Sequence, residues 1–440
     1  MTLIFVVLNF YFRILNLGGI EALSLATIFV FSEIISKPVA LTRNDVLALS
    51  FFCLGAVILA LAFRNMKPRL LLLFLAGLVL SAAVSVKITY LFGPIGAGLA
   101  VLLRKADGVT WRQILIDVGV LAVGGVVASL PMFFMLIQDW DRVFFSIYSF
   151  HRDLTVAWLN QDGVNLGTRL EVRITLLVSH FGYGAPILFL GMMAWTLIVI
   201  GRDGGVAGIA RVFLTRRFFL PAFWVVFSFL LLMMTLQMST TYVLPFYASL
   251  FMFFAHLFGC LPDDHRAVGR GMLATFAVFA VGTAVAFSAP TIYKGVSSKQ
   301  TAVERQDAEI AILRDTVPDY CGRRVASLTP TAPLLAGLPI YPELATGVFF
   351  FRGGDIYPPE RIRHLNGVTP RTLSALLTER PPAAIYAGSY SNWTAVDGTI
   401  MNQPFVDFAE QNGYIKNPGG KKSFLDIYVR PSAVGCEDAG

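Results

Sequence analysis

Apolar residues run in long blocks along the first two-thirds of the chain, broken by short clusters of charge, and the rhythm changes in the last third. About 17–25 apolar helical residues cross a bilayer. By that measure the blocks near residues 20–36, 46–63, 70–86, 88–103, 114–138, 174–200, 218–236, 243–261 and 272–291 read as spans. Met1–Gly18 is a further candidate, interrupted by Arg13; it lacks the basic start and small-residue cleavage site of a signal peptide. After Tyr293 the blocks shorten. Thr301–Thr316 alternates charge with Ala, Ile and Leu at helical spacing and predicts a surface helix. The short apolar runs Arg324–Leu328, Ala383–Ala387 and Phe424–Val429 predict strands, with helices at Thr372–Leu377 and Pro404–Asn412 between them. Such alternation predicts a small α/β domain with its own core. The expected fold class is an α-helical polytopic membrane protein of about nine or ten transmembrane helices, residues 1–292, with a C-terminal extracytoplasmic α/β domain, residues 293–440.

Composition strengthens this reading. Only 14% of residues are charged, against about 25% in soluble domains. The net charge of +7 reads as topology and not as nucleic-acid binding, because the basic residues fall in short loops between apolar runs. One set of loops holds Arg13, Arg64, Lys67, Arg69, Arg104, Lys105, Arg112, Arg202, Arg211, Arg216, Arg217, Arg266 and Arg270. The alternate set is poorer in cations and longer, so the first is assigned to the cytoplasm and the tail to the outside. Counting spans back from that tail puts Met1 outside as well, and the expectation is that a helix and loop upstream are missing from this chain. Cys53 and Cys260 lie in apolar runs. Cys321 and Cys436 lie in the tail, where an oxidising compartment would permit a disulfide.

The loop Gln138–Arg173 carries Trp140, Phe144, Phe145, Tyr148, Phe150 and Trp158 among polar residues, which suits a short helix lying along the membrane surface. Several motifs in the chain carry less than they suggest. His151-Arg152-Asp153-Leu154 matches a kinase catalytic-loop tetrapeptide, yet no glycine-rich phosphate loop or Asp-Phe-Gly accompanies it. The run Gly93–Gly98 lacks the lysine of a phosphate-binding loop and reads as a helix kink or a close-packing site. The five histidines show no zinc-ligand spacing.

Polar residues assigned to the outer face are more informative. Lys87 stands between two apolar runs, Glu33 lies inside another, and Arg43 and Asp45 open the span 46–63. His151, Arg152, Asp153 and Tyr242 fall on the same side. Ionisable residues at membrane depth are functional candidates by default. Cations and carboxylates gathered at one face suit a phosphate-bearing lipid. The plainer alternatives are a snorkelling Lys87, an N-capping Asp45 and an interfacial anchor at Arg43.

Three stretches then show a likeness. Leu41–Leu49, with Asp45 opening a span; Leu73–Leu78 followed by Ser85–Tyr90, a Gly-containing span ending in Lys87; and Thr241–Leu250, with Tyr242 and Pro245, occur in an order that resembles the GT-C type membrane glycosyltransferases. These take sugars from polyprenyl-phosphate donors, and include the protein mannosyltransferases and the lipid A aminoarabinose transferases. The resemblance implies a donor phosphate bound near Lys87 and Asp45, with Arg43 and Tyr242 as further candidates and His151, Arg152 and Asp153 in the outer loop. It implies a catalytic aspartate in an early outer loop. Residues 1–19 offer no acidic side chain, so no catalytic base is assigned and one is expected in the missing N-terminal loop. The cofactor is open, and the phosphate chemistry admits a divalent metal. The partners implied are a polyprenyl-phosphate-linked sugar, membrane lipids, and an acceptor glycan, lipid or protein, in a bacterial inner membrane. The tail, with Phe349–Phe351 as a buried strand or, with Tyr357 and Tyr390, as a sugar-stacking surface, is expected to help select the acceptor. Two other readings stay open: a transporter or lipid flippase, although no internal repeat is visible, and a non-catalytic membrane subunit that binds a lipid-linked sugar.

Overall fold

The computed structural model describes residues 1–35, 44–64, 70–154, 157, 170–182, 184–214, 216–234, 240–297, 302–317, 324–388, 392–417 and 425–431. Cys321 and Cys436 lie outside these residues, as do Arg43, Trp158 and Tyr390. The chain divides into two units. The first is Met1–Val143 with Leu166–Pro290, and the second is Phe144–Asn165 with Thr291–Gly440. The second unit thus takes in a segment that the boundary at residue 292 assigns to the membrane part.

In the first unit the apolar blocks are helices: α1 Thr2–Ile14, α2 Gly19–Phe31, α3 Asn44–Ala62, α4 Leu70–Val86, α5 Phe92–Leu103, α6 Trp111–Gln138, α7 Leu170–Phe181, α8 Gly184–Leu214, α9 Arg216–Met234, α10 Thr240–Gly259 and α11 Asp263–Ser297. Among the described residues six helical stretches are long and apolar enough to cross a membrane, and α1, α2, α4 and Phe219–Met234 are shorter apolar helices. The expected span 174–200 is two helices. Gly184 at φ +61° turns the backbone into the left-handed region, which a glycine adopts without steric cost, and so separates α7 from α8.

Lipid tails give apolar side chains no reason to hide from their surroundings, so helices here associate through close packing. α4 and α6 meet backbone to backbone: a Cβ at Gly124 would lie 2.1 Å from the Phe74 carbonyl oxygen. The run Gly93–Gly98 is another such site. Trp224, fully buried, donates its indole N–H to the Gly93 carbonyl at 3.3 Å and packs edge-on against Phe52. An aromatic stack joins α2, α8 and α10, with Phe189 on Phe251 at 3.8 Å and Phe29 on Tyr247 at 5.4 Å between ring centres.

The second unit holds a four-stranded sheet in the order β1-β2-β4-β3, with β1 Val325–Ala326, β2 Ala384–Ala387, β3 Ile415–Lys416 and β4 Asp426–Val429. β1 is parallel to β2, and β4 is antiparallel to both β2 and β3. Side chains alternate across a strand, and both faces are used. Val325, Ala384, Tyr386, Ile427 and Val429 pack with Leu313 and Val317, at the end of and just beyond α12 (Ala302–Thr316). Ala326, Ile385, Ala387 and Tyr428 pack against α13 (Pro370–Glu379) and α14 (Gln403–Gln411) through Leu373, Leu377, Phe405 and Phe408. The expected strand at Phe349–Phe351 is instead a helical turn, Val348–Phe351, preceded by Gly347 at positive φ. The short helix expected in the loop after α6 is present. Trp140–Phe144 is helical and leads into the π-helical segment Phe145–Leu154. Trp140 and Tyr148 are exposed, but Phe145 and Leu154 are buried against Phe350 and Ile362 within the second unit.

Candidate functional site

α3 descends from Asp45 and α4 returns to Val86, so the two helix ends meet. Lys87 has extended backbone (φ −152°, ψ 115°) and interrupts the helical path before a short 3-10 turn, Ile88–Tyr90. The break puts the lysine at a junction and not along a lipid-facing helix. Asp45 sits in the first turn of α3, where the helix dipole favours a carboxylate. The Lys87 ammonium donates to Asp45 Oδ1 and lies 4.4 Å from the centre of the Tyr242 ring. Both partners are sheltered, with side-chain exposures of 17% and 6%. Tyr242 comes from the first turn of α10. Three residues singled out by sequence, far apart in the chain, therefore form one cluster: a paired cation over an aromatic face.

Two other charge clusters mark the far end of the same unit. Glu21, fully buried at the start of α2, accepts both Arg266 Nη2 (2.9 Å) and Nε (3.1 Å), and Arg270 Nε at 3.4 Å. Arg266 follows the end of α10, whose 20 residues place it about 30 Å from the Tyr242 end by helical rise. Asp117, also fully buried, accepts from Arg104 (2.5 Å) and Gln113 (2.7 Å). Arg266 and Arg270 reach Glu21 from α11, and Arg104 reaches Asp117 from just beyond α5 while Gln113 lies on Asp117's own helix, so both carboxylates read as clamps. Sequence inspection could not pair Glu21 with Arg266 across 245 positions.

Glu33 lies just past the end of α2, and neither of its carboxylate oxygens has a hydrogen-bond partner among the described residues. A Cβ on Gly184 would lie 2.4 Å from Glu33 Oε1. The absence of a side chain at that glycine is what makes room for the carboxylate, a dependence that the sequence does not signal.

His151, Arg152 and Asp153 belong to the second unit, whereas Lys87, Asp45 and Tyr242 belong to the first. Arg152 grips its neighbour Asp153 through Nε (2.5 Å) and Nη2 (2.9 Å), and Tyr357 donates to Asp153 at 3.1 Å. The guanidinium, aided by that hydroxyl, holds the Asp153 carboxyl below the usual carboxylate range. Burial, together with the nearby Asp153, pushes the Tyr357 phenol up. This is the bonding of a structural latch. Among the described residues no three His, Cys, Asp or Glu side chains gather where they could share a metal ion.

No family model and no curated protein sequence matches the chain. A solved structure does: the crystal structure of ArnT from Cupriavidus metallidurans bound to undecaprenyl phosphate, with a TM-score of 0.61 at 12% identity, over 99% of this chain and 83% of that one. At that identity the likeness is one of fold. The chain shares the polytopic helical fold of that structure.

Proposed function

We propose that the chain is a membrane glycosyltransferase component that binds a polyprenyl-phosphate-linked sugar at the outer face of a bacterial inner membrane, with the phosphate beside Lys87. The observation that carries this reading is the sheltered Lys87–Asp45–Tyr242 cluster at one end of the helical unit. A lysine kept near membrane depth costs roughly 2.5–3.5 kcal/mol on insertion scales, so it is retained where its charge is used. Similarity to a fold solved with a bound polyprenyl phosphate supports the same class of ligand.

In the reaction an acceptor hydroxyl attacks the anomeric carbon of the sugar. The bond from that carbon to the phosphate oxygen breaks, the polyprenyl phosphate leaves, and the hydroxyl proton passes to a base. The Lys87 ammonium stabilises the negative charge that builds on the departing phosphate. Asp45 holds the ammonium in place, and the face of Tyr242 orients it. No residue of this chain is assigned as the base, and no step is assigned to a metal.

The test is release of polyprenyl phosphate from a labelled donor by the purified chain in lipid nanodiscs, with a membrane glycan and glycolipid extract as acceptor. Acceptor-dependent release that Lys87→Gln abolishes is the expected result. Movement of intact donor between leaflets with no sugar released would replace this reading with that of a flippase.

A further inference from the structure

The α/β unit holds a cavity of about 360 Å³ that the transfer chemistry does not use. One wall is the segment Pro359–Val368 and the other is α13, and Glu343 and Arg380 close one side. Small-ligand sites span about 300–1,000 Å³, combining an apolar lining with a few placed polar groups. This cavity lies at the low end, large enough for one sugar ring. Ile362, Leu376 and Val368 supply the apolar surface.

The polar groups define the ligand. Arg380 donates to one oxygen of Glu343, while the other, Oε2, is sealed from the cavity and has no hydrogen-bond partner among the described residues. Arg363 and Glu379 also line the space, and among the described residues no ion pair or hydrogen bond holds either side chain. Two guanidiniums and two carboxylates leave the lining formally neutral. An anionic ligand meets both carboxylates, and a cationic one meets both arginines. A hydroxyl donates and accepts, so a neutral polyol can satisfy Glu379 and Arg363 together.

We infer that this cavity is a binding site for one neutral pyranose unit of a glycan. As a binding site it stands on the cavity alone; its role as the acceptor subsite rests on the proposed transfer reaction. The experiment uses the full chain in nanodiscs free of glycoside detergent, with saturation-transfer NMR and titration of methyl glycosides of mannose, glucose and N-acetylglucosamine. Expected is saturable millimolar binding of at least one glycoside. Ala375→Leu, which fills the cavity from an exposed position on α13, and the pair Arg363→Met with Glu379→Gln should each weaken it at least tenfold at unchanged melting temperature. Binding that survives both changes within twofold, no saturable binding by any of the three glycosides, or preference for inorganic phosphate or glycine over all of them, would overturn the assignment. Polyprenyl phosphate binding, measured on the same samples, reports separately on Lys87. Absence of glycoside binding by the unaltered chain, with polyprenyl phosphate binding present, therefore condemns this site and not the donor site.

Discussion

Lys87 and Asp45 make opposite predictions for ligand binding and the same prediction for stability, which separates a phosphate site from a structural ion pair. In Lys87→Gln the ammonium is lost, and Asp45, 4% exposed, keeps only an amide neighbour. Breaking a fully buried pair costs about 3–5 kcal/mol. Lys87 retains 17% side-chain exposure, so about 1–3 kcal/mol is the expected loss of stability after allowing for water at that end. A charge-assisted contact to phosphate is worth about 1.5–3 kcal/mol. At about 1.4 kcal/mol per factor of ten, polyprenyl phosphate should bind 10- to 150-fold more weakly. In Asp45→Asn the ammonium stays and a negative charge near the phosphate disappears. At ~6 Å and an effective dielectric of ~20 that repulsion is about 3 kcal/mol, so affinity should rise, by up to ~100-fold, while stability falls. The assay is titration of polyprenyl phosphate into each variant in nanodiscs at fixed ionic strength, below the lowest melting temperature. If both variants lose stability and both bind the lipid within twofold of the unaltered chain, the pair is structural and the phosphate lies elsewhere.

Gly124→Ala should cost about 2–3 kcal/mol in detergent unfolding, because its Cβ meets the backbone of α4, whereas Gly98→Ala, with nothing within 4 Å, should be close to neutral. Gly184→Ala combines positive φ with a collision at Glu33 and should lose about 1–2 kcal/mol from the backbone alone; unchanged unfolding would refute the packing between α8 and Glu33. Glu21→Gln leaves the Arg266 fork short of its charge and should destabilise the membrane unit by about 2–3 kcal/mol without affecting polyprenyl phosphate affinity. Asp153 has a lowered folded-state pKa, so its contribution is complete above the ordinary carboxylate pKa of about 3.9 and is lost as pH falls through the folded value. The original chain should therefore lose more melting temperature than Asp153→Asn between pH 6 and pH 3, and equal losses would exclude the latch.

Much of the donor-site candidate was legible because its members stand at the ends of apolar blocks, where a charge is conspicuous. Lys87 and Asp45 announce themselves in this way; their pairing needed only the antiparallel return of α4. Tyr242 was visible through its place before Pro245, but its position over the lysine depends on where α10 packs. The division of α7 from α8 was hidden because the apolar run continues across it, and one backbone angle at Gly184 makes the difference. Phe349–Phe351 reads as a strand by composition, and it is helical because Gly347 turns the chain and Phe350 and Phe351 find cores on different sides. Contacts such as Phe145 with Phe350 join residues too distant in sequence for any local pattern to reveal.

The entry of Phe144–Asn165 into the second unit has a consequence for biosynthesis. Phe145 and Leu154 leave the ribosome some two hundred residues before Phe350 and Ile362, the side chains that bury them. At roughly 5–20 residues per second the wait is about 10–40 s. Throughout that interval a stretch bearing Phe145, Phe150 and Leu154 is without its packing partners, in a chain already threading into a bilayer. The membrane helices can assemble as they emerge, but this stretch cannot close its own fold until the last third of the protein arrives. A premature stop anywhere before residue 350 would strand those apolar groups in the open, marking the product for chaperones and proteases even where every transmembrane helix had already formed.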